Sequence, residues 1–177
     1  MGIPFKPQKV KLFFGFISKD EDLFLEIERI LSKKFGPIDF TSKIIPFDYT
    51  GYYHDELGDG LKRKFISVKR LIAPEKLADI KLLTNKIENK FSFHKKRRIN
   101  IDPGYVSGGK LVLATTKDYG HRVYLGKGIF AEVTLFYQDG TFNPWPWTYP
   151  DYKTKDYIEI FNHLFKTYIG KLRKGND

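Results

Sequence analysis

The sequence predicts an α+β fold: a ferredoxin-like βαββαβ unit extended by an antiparallel β-meander and closed by a C-terminal helix. Three observations predict it. Short β-prone runs and two amphipathic helical segments follow one another as strand, helix, strand, strand, helix, strand. Three further β-prone runs come next, joined by the turn-like connections "KDYG" and "GKG". The final segment carries one apolar stripe at helical spacing.

"KVKLFFGFI" (Lys9 to Ile17) is the first strand, an apolar β-prone run. In "SKDE", Ser18 is placed to cap a helix, with Glu21 three residues on to complete a capping box. Leu23, Phe24, Ile27, Ile30, Leu31 and Phe35 then recur at helical spacing until Gly36-Pro37 stops the helix. "IDFTSKIIPF" (Ile38 to Phe47) reads as the second strand, with Pro46 marking an edge or exit, and "KRKFISVKRLI" (Lys62 to Ile72) as the third. Pro74 suits the first turn of a second helix, whose buried stripe is Leu77, Ile80, Leu83, Ile87 and Phe91. "RRINI" (Arg97 to Ile101) supplies the fourth strand. "KLVLATT", "HRVYL" and "IFAEVTLFY" form the meander. In the closing helix, Thr154 is the cap, Tyr157, Ile160, Phe161, Leu164, Phe165, Tyr168 and Leu172 share a face, and Lys171, Arg173 and Lys174 lie near the negative end.

A chain of 177 residues buries about two-thirds of its unfolded surface in one core, so residues 1–177 are read as one domain. Hydrophobic residues at 41% and aromatics at 16% describe a folded globule with an aromatic-rich interior. The absence of cysteine excludes disulfides and thiolate metal sites and leaves four histidines with carboxylates as the ordinary ligands; no cofactor or metal follows from the sequence. No leader pattern and no run of the roughly 20 apolar residues a span needs is present, so a cytoplasmic, membrane-free protein is expected. The net charge of +10 favours polyanions such as RNA, DNA or nucleotide phosphates, although a Lys- and Glu-rich surface also suits a thermophile.

Gly104, Gly109 and Lys110 in "DPGYVSGGKLVLATT" have the spacing of a phosphate-binding loop. Such a loop needs a hydroxyl after its Lys, to hold Mg²⁺, and a helix behind it. Here Leu111 follows, and the next residues are strand-like. A glycine-rich strand connection is therefore expected. "TTKD" lacks the residue that should separate Lys117 from Asp118 in a guanine-reading element.

Five constellations can carry chemistry. The loop "PFDYTGYYHDELGDG" gathers Asp48, Tyr49, Tyr52, Tyr53, His54, Asp55, Glu56 and Asp59, which can bind a divalent cation or stack on a base; a solvated loop covering a sheet edge is the simpler reading. Asp102 follows a strand before a Pro-Gly pair, read as a turn, with Tyr105 beyond it. If the meander pairs in chain order, His121 and Glu132 lie close across a hairpin as a general base and its orienting carboxylate, beside Lys117 and Arg122. A structural histidine is the simpler alternative. "FNPWPWTYPDY" stiffens Trp145, Trp147, Tyr149 and Tyr152 with prolines, either as a stacking rim or as a crossover that seals the core. Finally, Lys62, Arg63, Lys64, Lys69 and Arg70 with Lys95, Lys96, Arg97 and Arg98 make either a phosphate-tracking patch or a solvated edge.

Through "FGPIDF", "PFDYTGYYHDELGDGLKRKFIS", "RRINIDPGYV", "KLVLATTKDYGHRVYLGKGIFAEVTL" and "PWTYPDY" the chain closely resembles the prokaryotic family labelled domain of unknown function 4416, from about Lys11 to Tyr168. The resemblance implies a small stand-alone intracellular protein, sometimes labelled GTP-binding, and carries over no activity. The residues themselves point first to a site for a phosphate-bearing ligand, nucleotide or RNA, using Lys110, Lys117, Arg122, Tyr105, Tyr52, Tyr53, Trp145 and Trp147. The second reading is a hydrolase or transferase on a phosphorylated substrate, with His121 as acid or base, Asp102 or Glu132 orienting it, and Arg122 or Lys117 holding phosphate. The third is a protein-binding scaffold using the aromatic loops.

Overall fold

The computed structural model describes residues 1–50, 54–94 and 96–174. Along them run β1 (Val10–Ser18), α1 (Glu21–Phe35), β2 (Ile38–Thr41), β3 (Ile45–Pro46), α2 (His54–Leu57), β4 (Lys62–Ile72), α3 (Leu77–Lys90), β5 (Asn100–Val106), β6 (Lys110–Thr115), β7 (Arg122–Gly126), β8 (Ile129–Gln138), β9 (Thr141–Pro144) and α4 (Lys155–Lys174). The strands form one sheet in the order β2-β4-β1-β5-β6-β8-β7, with β3 beside β4 and β9 beside β8, and every pairing is antiparallel.

β1 is buried at every residue because helices cover both of its faces. Leu12, Phe14 and Phe16 pack with Leu23, Phe24, Ile27 and Leu31 of α1 and with Ile80 and Ile87 of α3. Phe13, on the opposite face by strand alternation, packs with Phe65 and with Tyr157, Phe161 and Leu164 of α4. The sheet is thus sandwiched between α1 and α3 on one side and α4 on the other. Among the described residues no helix is long and apolar enough to cross a membrane.

Local chemistry corrects several expectations. Asp20, not Ser18, caps α1 by accepting from the Asp22 N–H; the Ser18 hydroxyl closes the end of β1 by donating to the Arg98 carbonyl. The second strand divides into β2 and β3. Asp102, Pro103 and Gly104 form no turn but lie inside β5. A Cβ on Gly104 would meet Phe13 Cζ and the Val112 carbonyl oxygen at 2.6 Å, so close strand packing is what calls for glycine. The glycine-lysine motif is a hairpin between β5 and β6, closed by the Ser107 N–H donating to the Lys110 carbonyl at 2.9 Å. Nor do β6, β7 and β8 pair in chain order: β8 lies between β6 and β7, so residues 116–121 cross over β8 instead of turning a hairpin.

The edge strand β2 is pinned by charge. Fully buried Lys11 donates to both Asp39 oxygens at 2.6 Å and to the Val68 carbonyl at 2.9 Å, while Lys171 of α4 donates to the same carboxylate at 2.6 Å and Ser67 at 2.8 Å. Burial lowers the Lys11 ammonium to about 8. Burial also works to raise Asp39, but hydrogen bonds from Lys11, Lys171 and Ser67 outweigh it and hold the carboxyl below its ordinary value. Asp39→Asn leaves the buried ammonium without its counter-charge and is expected to cost about 3 kcal/mol at neutral pH, measured by urea unfolding. A carboxyl depressed in the fold stabilises above its unfolded pKa and loses that contribution as pH falls through the folded value, so the gap between wild type and variant narrows below about pH 4. Gly104→Ala is expected to cost about 2 kcal/mol by overpacking. The control Gly108→Ala, which has nothing within 4 Å, changes stability by no more than roughly 0.5 kcal/mol in the same assay.

Candidate functional site

β5 and β6 pair only from Gly104↔Leu113 to Val106↔Leu111, while β5 continues beside β1 down to Asn100. Pro103, with no N–H to donate, is the first residue of β5 without a partner on β6. α3 serves the open edge instead. The Ile101 N–H donates to Glu88 Oε1 at 2.7 Å, and the Ile101 carbonyl accepts from Lys81 Nζ at 3.1 Å. Two side chains thereby replace a ladder partner, and the two strands diverge into a cleft of about 760 Å³.

One wall is a chain of ion pairs. Arg97 reaches Glu56 through two bonds of 2.6 Å, Glu88 at 2.9 Å and Asn100 at 3.0 Å; the Glu56 bonds come first among the causes that hold its guanidinium above its usual range. Burial raises the Glu88 carboxyl. Asn100 donates to Asp102 at 2.7 Å, and Lys81 donates to the same carboxylate at 3.3 Å. At the closed end Arg63 of β4 donates to Asp151 at 2.9 Å and to the Tyr157 hydroxyl at 3.3 Å. Burial opposes its charge, and Tyr152, Tyr157, Asp151 and Asp102 around it more than compensate, so Arg63 stands well above its ordinary value.

The other wall is built on Glu132 of β8, only 1% exposed. Its Oε2 contacts His121 Nε2 at 3.0 Å and accepts from Arg122 Nε at 3.0 Å, while Oε1 accepts from the Thr134 hydroxyl at 3.2 Å. Arg122 also donates to the Lys117 carbonyl at 3.0 Å and to the Tyr149 hydroxyl. Burial, aided by the Glu132 charge, pushes Tyr149 up to about 12. Along the rim the rings of Tyr119, His121, Trp147 and Trp145 lie in a run of near-parallel stacks with centroids 6.1, 5.5 and 5.1 Å apart.

The structure therefore brings His121, Glu132, Asp102, Lys117, Arg122 and Trp147 to one cleft. Asp102 faces the Lys81 and Arg63 side, and its bonds go to Lys81 and Asn100 and not to His121. Arg122, with 3% of its side chain exposed, is enclosed by its own partners, which leaves it no face for a ligand phosphate. Trp145 stands behind Trp147, against Phe136. Tyr105 packs with Leu77 and Ala78 on the α3 side, and Lys110 is exposed at the far end of β6, so neither joins the cleft. Tyr52 and Tyr53 lie outside the described residues. The expected basic patch is largely consumed in ion pairs: Lys62 with Glu21, Arg63 with Asp151, Lys64 with Glu28, Arg97 with Glu56, Arg98 with Asp20. Among the described residues no group of three or more His, Cys, Asp or Glu side chains is arranged to hold a metal ion.

Sequence reasoning passed over Arg63, Lys81, Glu88, Asp151 and Tyr152 as one set. Two signals were present. Lys81, Thr84 and Glu88 recur at helical spacing beside the apolar stripe of α3, and period-two alternation puts Arg63 on the Phe65 face of β4.

A family model described as "Domain of unknown function (DUF4416)" matches residues 8–168, and the chain belongs to that family. No curated protein and no solved structure matches it.

Glu132→Gln removes the counter-charge of the enclosed Arg122 and is expected to cost about 3 kcal/mol in urea unfolding. His121→Ala, at the exposed side of the same carboxylate, is expected to cost no more than about 1 kcal/mol. Equal costs would mean that the imidazole is as structural as the arginine.

Proposed function

We propose that the cleft binds a small phosphate-bearing ligand with a planar ring, a nucleotide or a close analogue. The observation that carries this reading is one coincidence: the stacked rim of Tyr119, His121 and Trp147 borders the same cleft as the cationic side chains of Arg63, Lys81, Arg97 and Lys117. A ring on that rim gains roughly 1–3 kcal/mol from stacking, while the lining sets Arg63, Lys81, Arg97, Lys117 and Arg122 against Glu88, Asp102, Glu132 and Asp151, a small positive excess. The volume lies within the roughly 300–1,000 Å³ of small-molecule sites. Pairing of the basic strand residues with Glu and Asp weighs against a long RNA track and favours a mononucleotide-sized ligand.

The second reading, a hydrolase or transferase acting on a phosphorylated substrate, draws on the 3.0 Å contact between His121 Nε2 and Glu132 Oε2. In it Glu132 orients the imidazole, His121 gives or takes the proton, and Lys117 holds phosphate. A protein-binding scaffold rests on exposed Tyr49, Trp147 and Tyr149 of the aromatic loops. The order β2-β4-β1-β5 supports the ferredoxin-like description of the first two-thirds of the chain, and a single sheet carrying α1, α3 and α4 supports one domain.

Thermal unfolding with ATP, GTP, Mg²⁺ and a short single-stranded RNA tests the proposal. A nucleotide at about 100 times its dissociation constant adds about 2.7 kcal/mol, which for a chain of this size raises the melting temperature by roughly 8 °C. A rise with RNA alone would replace the mononucleotide by a polymer. No rise with any of them would sink the phosphate reading.

A further inference from the structure

At the closed end of the cleft two buried donors lack a hydrogen-bond partner. Arg63, with 4% of its side chain exposed, directs Nη2 to Asp151 and Nε to Tyr157, but Nη1 makes no hydrogen bond. Asp102 Oδ2 forms an ion pair with it at 3.6 Å, too long for a hydrogen bond. Tyr152 is 2% exposed, and its hydroxyl likewise has no partner. Both residues line the cleft, and Arg63 Cζ stands 5.7 Å from the centre of the Tyr152 ring. Buried polar atoms without partners are rare enough that two in one place call for an explanation.

Their chemistry narrows what can satisfy them. A guanidinium offers donors only, and burial keeps the Tyr152 hydroxyl protonated, well above its ordinary range. Neighbouring acceptors are already engaged: Asp151 by Arg63, and Asp102 by Lys81 and Asn100. The guanidinium is also held in place. Its carbon lies 5.2 Å from the ring centres of both Phe47 and Phe65, and a Cβ on Gly15 would sit 3.0 Å from Nη1, so the glycine of β1 is what lets the guanidinium pack against that strand. A fixed cationic donor beside a fixed hydroxyl, in a lining with five cationic and four anionic side chains, matches oxygen acceptors that carry negative charge.

We propose that the Arg63–Tyr152 end of the cleft is an oxyanion subsite that seats the phosphate or carboxylate group of the ligand. The proposal rests on the reading of the cleft as a ligand site and assigns its anionic end to residues remote from His121 in the sequence. The ring of the ligand then lies toward Trp147.

Calorimetric titration of the wild type and of Tyr152→Phe with inorganic phosphate, acetate, adenosine and adenosine monophosphate tests it. The substitution breaks no hydrogen bond within the protein, so the variant folds, as its melting curve verifies. Phosphate or acetate, and the monophosphate if phosphate is the anion, are expected to bind about 10-fold more weakly to the variant, and adenosine equally to both. Preference for phosphate or for acetate identifies the anion. Equal anion affinities in the two proteins, or adenosine binding with neither anion binding, would overturn the subsite and leave the cleft reading standing. Failure of all four to bind would remove both.

Discussion

Arg63 carries a full charge in the interior, and the structure around it is arranged to match that charge from several directions. It belongs to β4, donates to Asp151 just before α4 and to Tyr157 within α4, faces Asp102 of β5, and lies against Gly15 of β1. Desolvating a guanidinium without such partners would cost more than a small domain can offset. Each partner therefore fixes the position of an element. The sheet, the last helix and the turn between them are held together at one polar point inside an aromatic cluster of Phe65, Tyr152, Tyr157 and Phe161.

The cleft follows from the same economy of polar groups. β5 must leave β6 near Pro103, and an abandoned strand edge exposes an N–H and a carbonyl that need partners. Glu88 and Lys81 of α3 meet that need at Ile101. The charges that repair the edge then line the space it leaves, which is why the cleft wall is ionic while the surfaces on either side of the sheet are apolar. Across the opening Glu132 organises Arg122 and His121 in the same manner, and residues 116–121, crossing over β8, bring Lys117 and Tyr119 to the rim.

Much of the fold was legible because its signals are local. The stripes of α1, α3 and α4 and the β-prone runs each announce themselves within a dozen residues or so. The failures came where a distant contact outweighs a local preference. Ser18 looks like a cap until Arg98 offers its carbonyl, and Pro103-Gly104 looks like a turn until Phe13 and Val112 press on it from both sides. The insertion of β8 between β6 and β7 could not be read from short connections, since strand order depends on which edge is free. Of the site, the closeness of His121 and Glu132 was legible because both flank one short segment. Arg63, Lys81 and Tyr152 come from three remote elements: Arg63 was read within a basic patch or solvated edge, Tyr152 within a stacking rim or core-sealing crossover, and Lys81 was passed over. Only their convergence gives them a chemical meaning.

Arg63 donates to Asp151 and Tyr157 and pairs with Asp102 at 3.6 Å, and a ligand oxygen is the hydrogen-bond partner proposed for its Nη1. A high-resolution crystal structure grown in phosphate tests that assignment most directly. Tetrahedral density is expected within hydrogen-bond distance of Arg63 Nη1 and the Tyr152 hydroxyl, with the bonds to Asp151 and Tyr157 retained. Nη1 bonded instead to Asp102, with the Tyr152 hydroxyl closed onto a protein carbonyl and no anion between them, would contradict it.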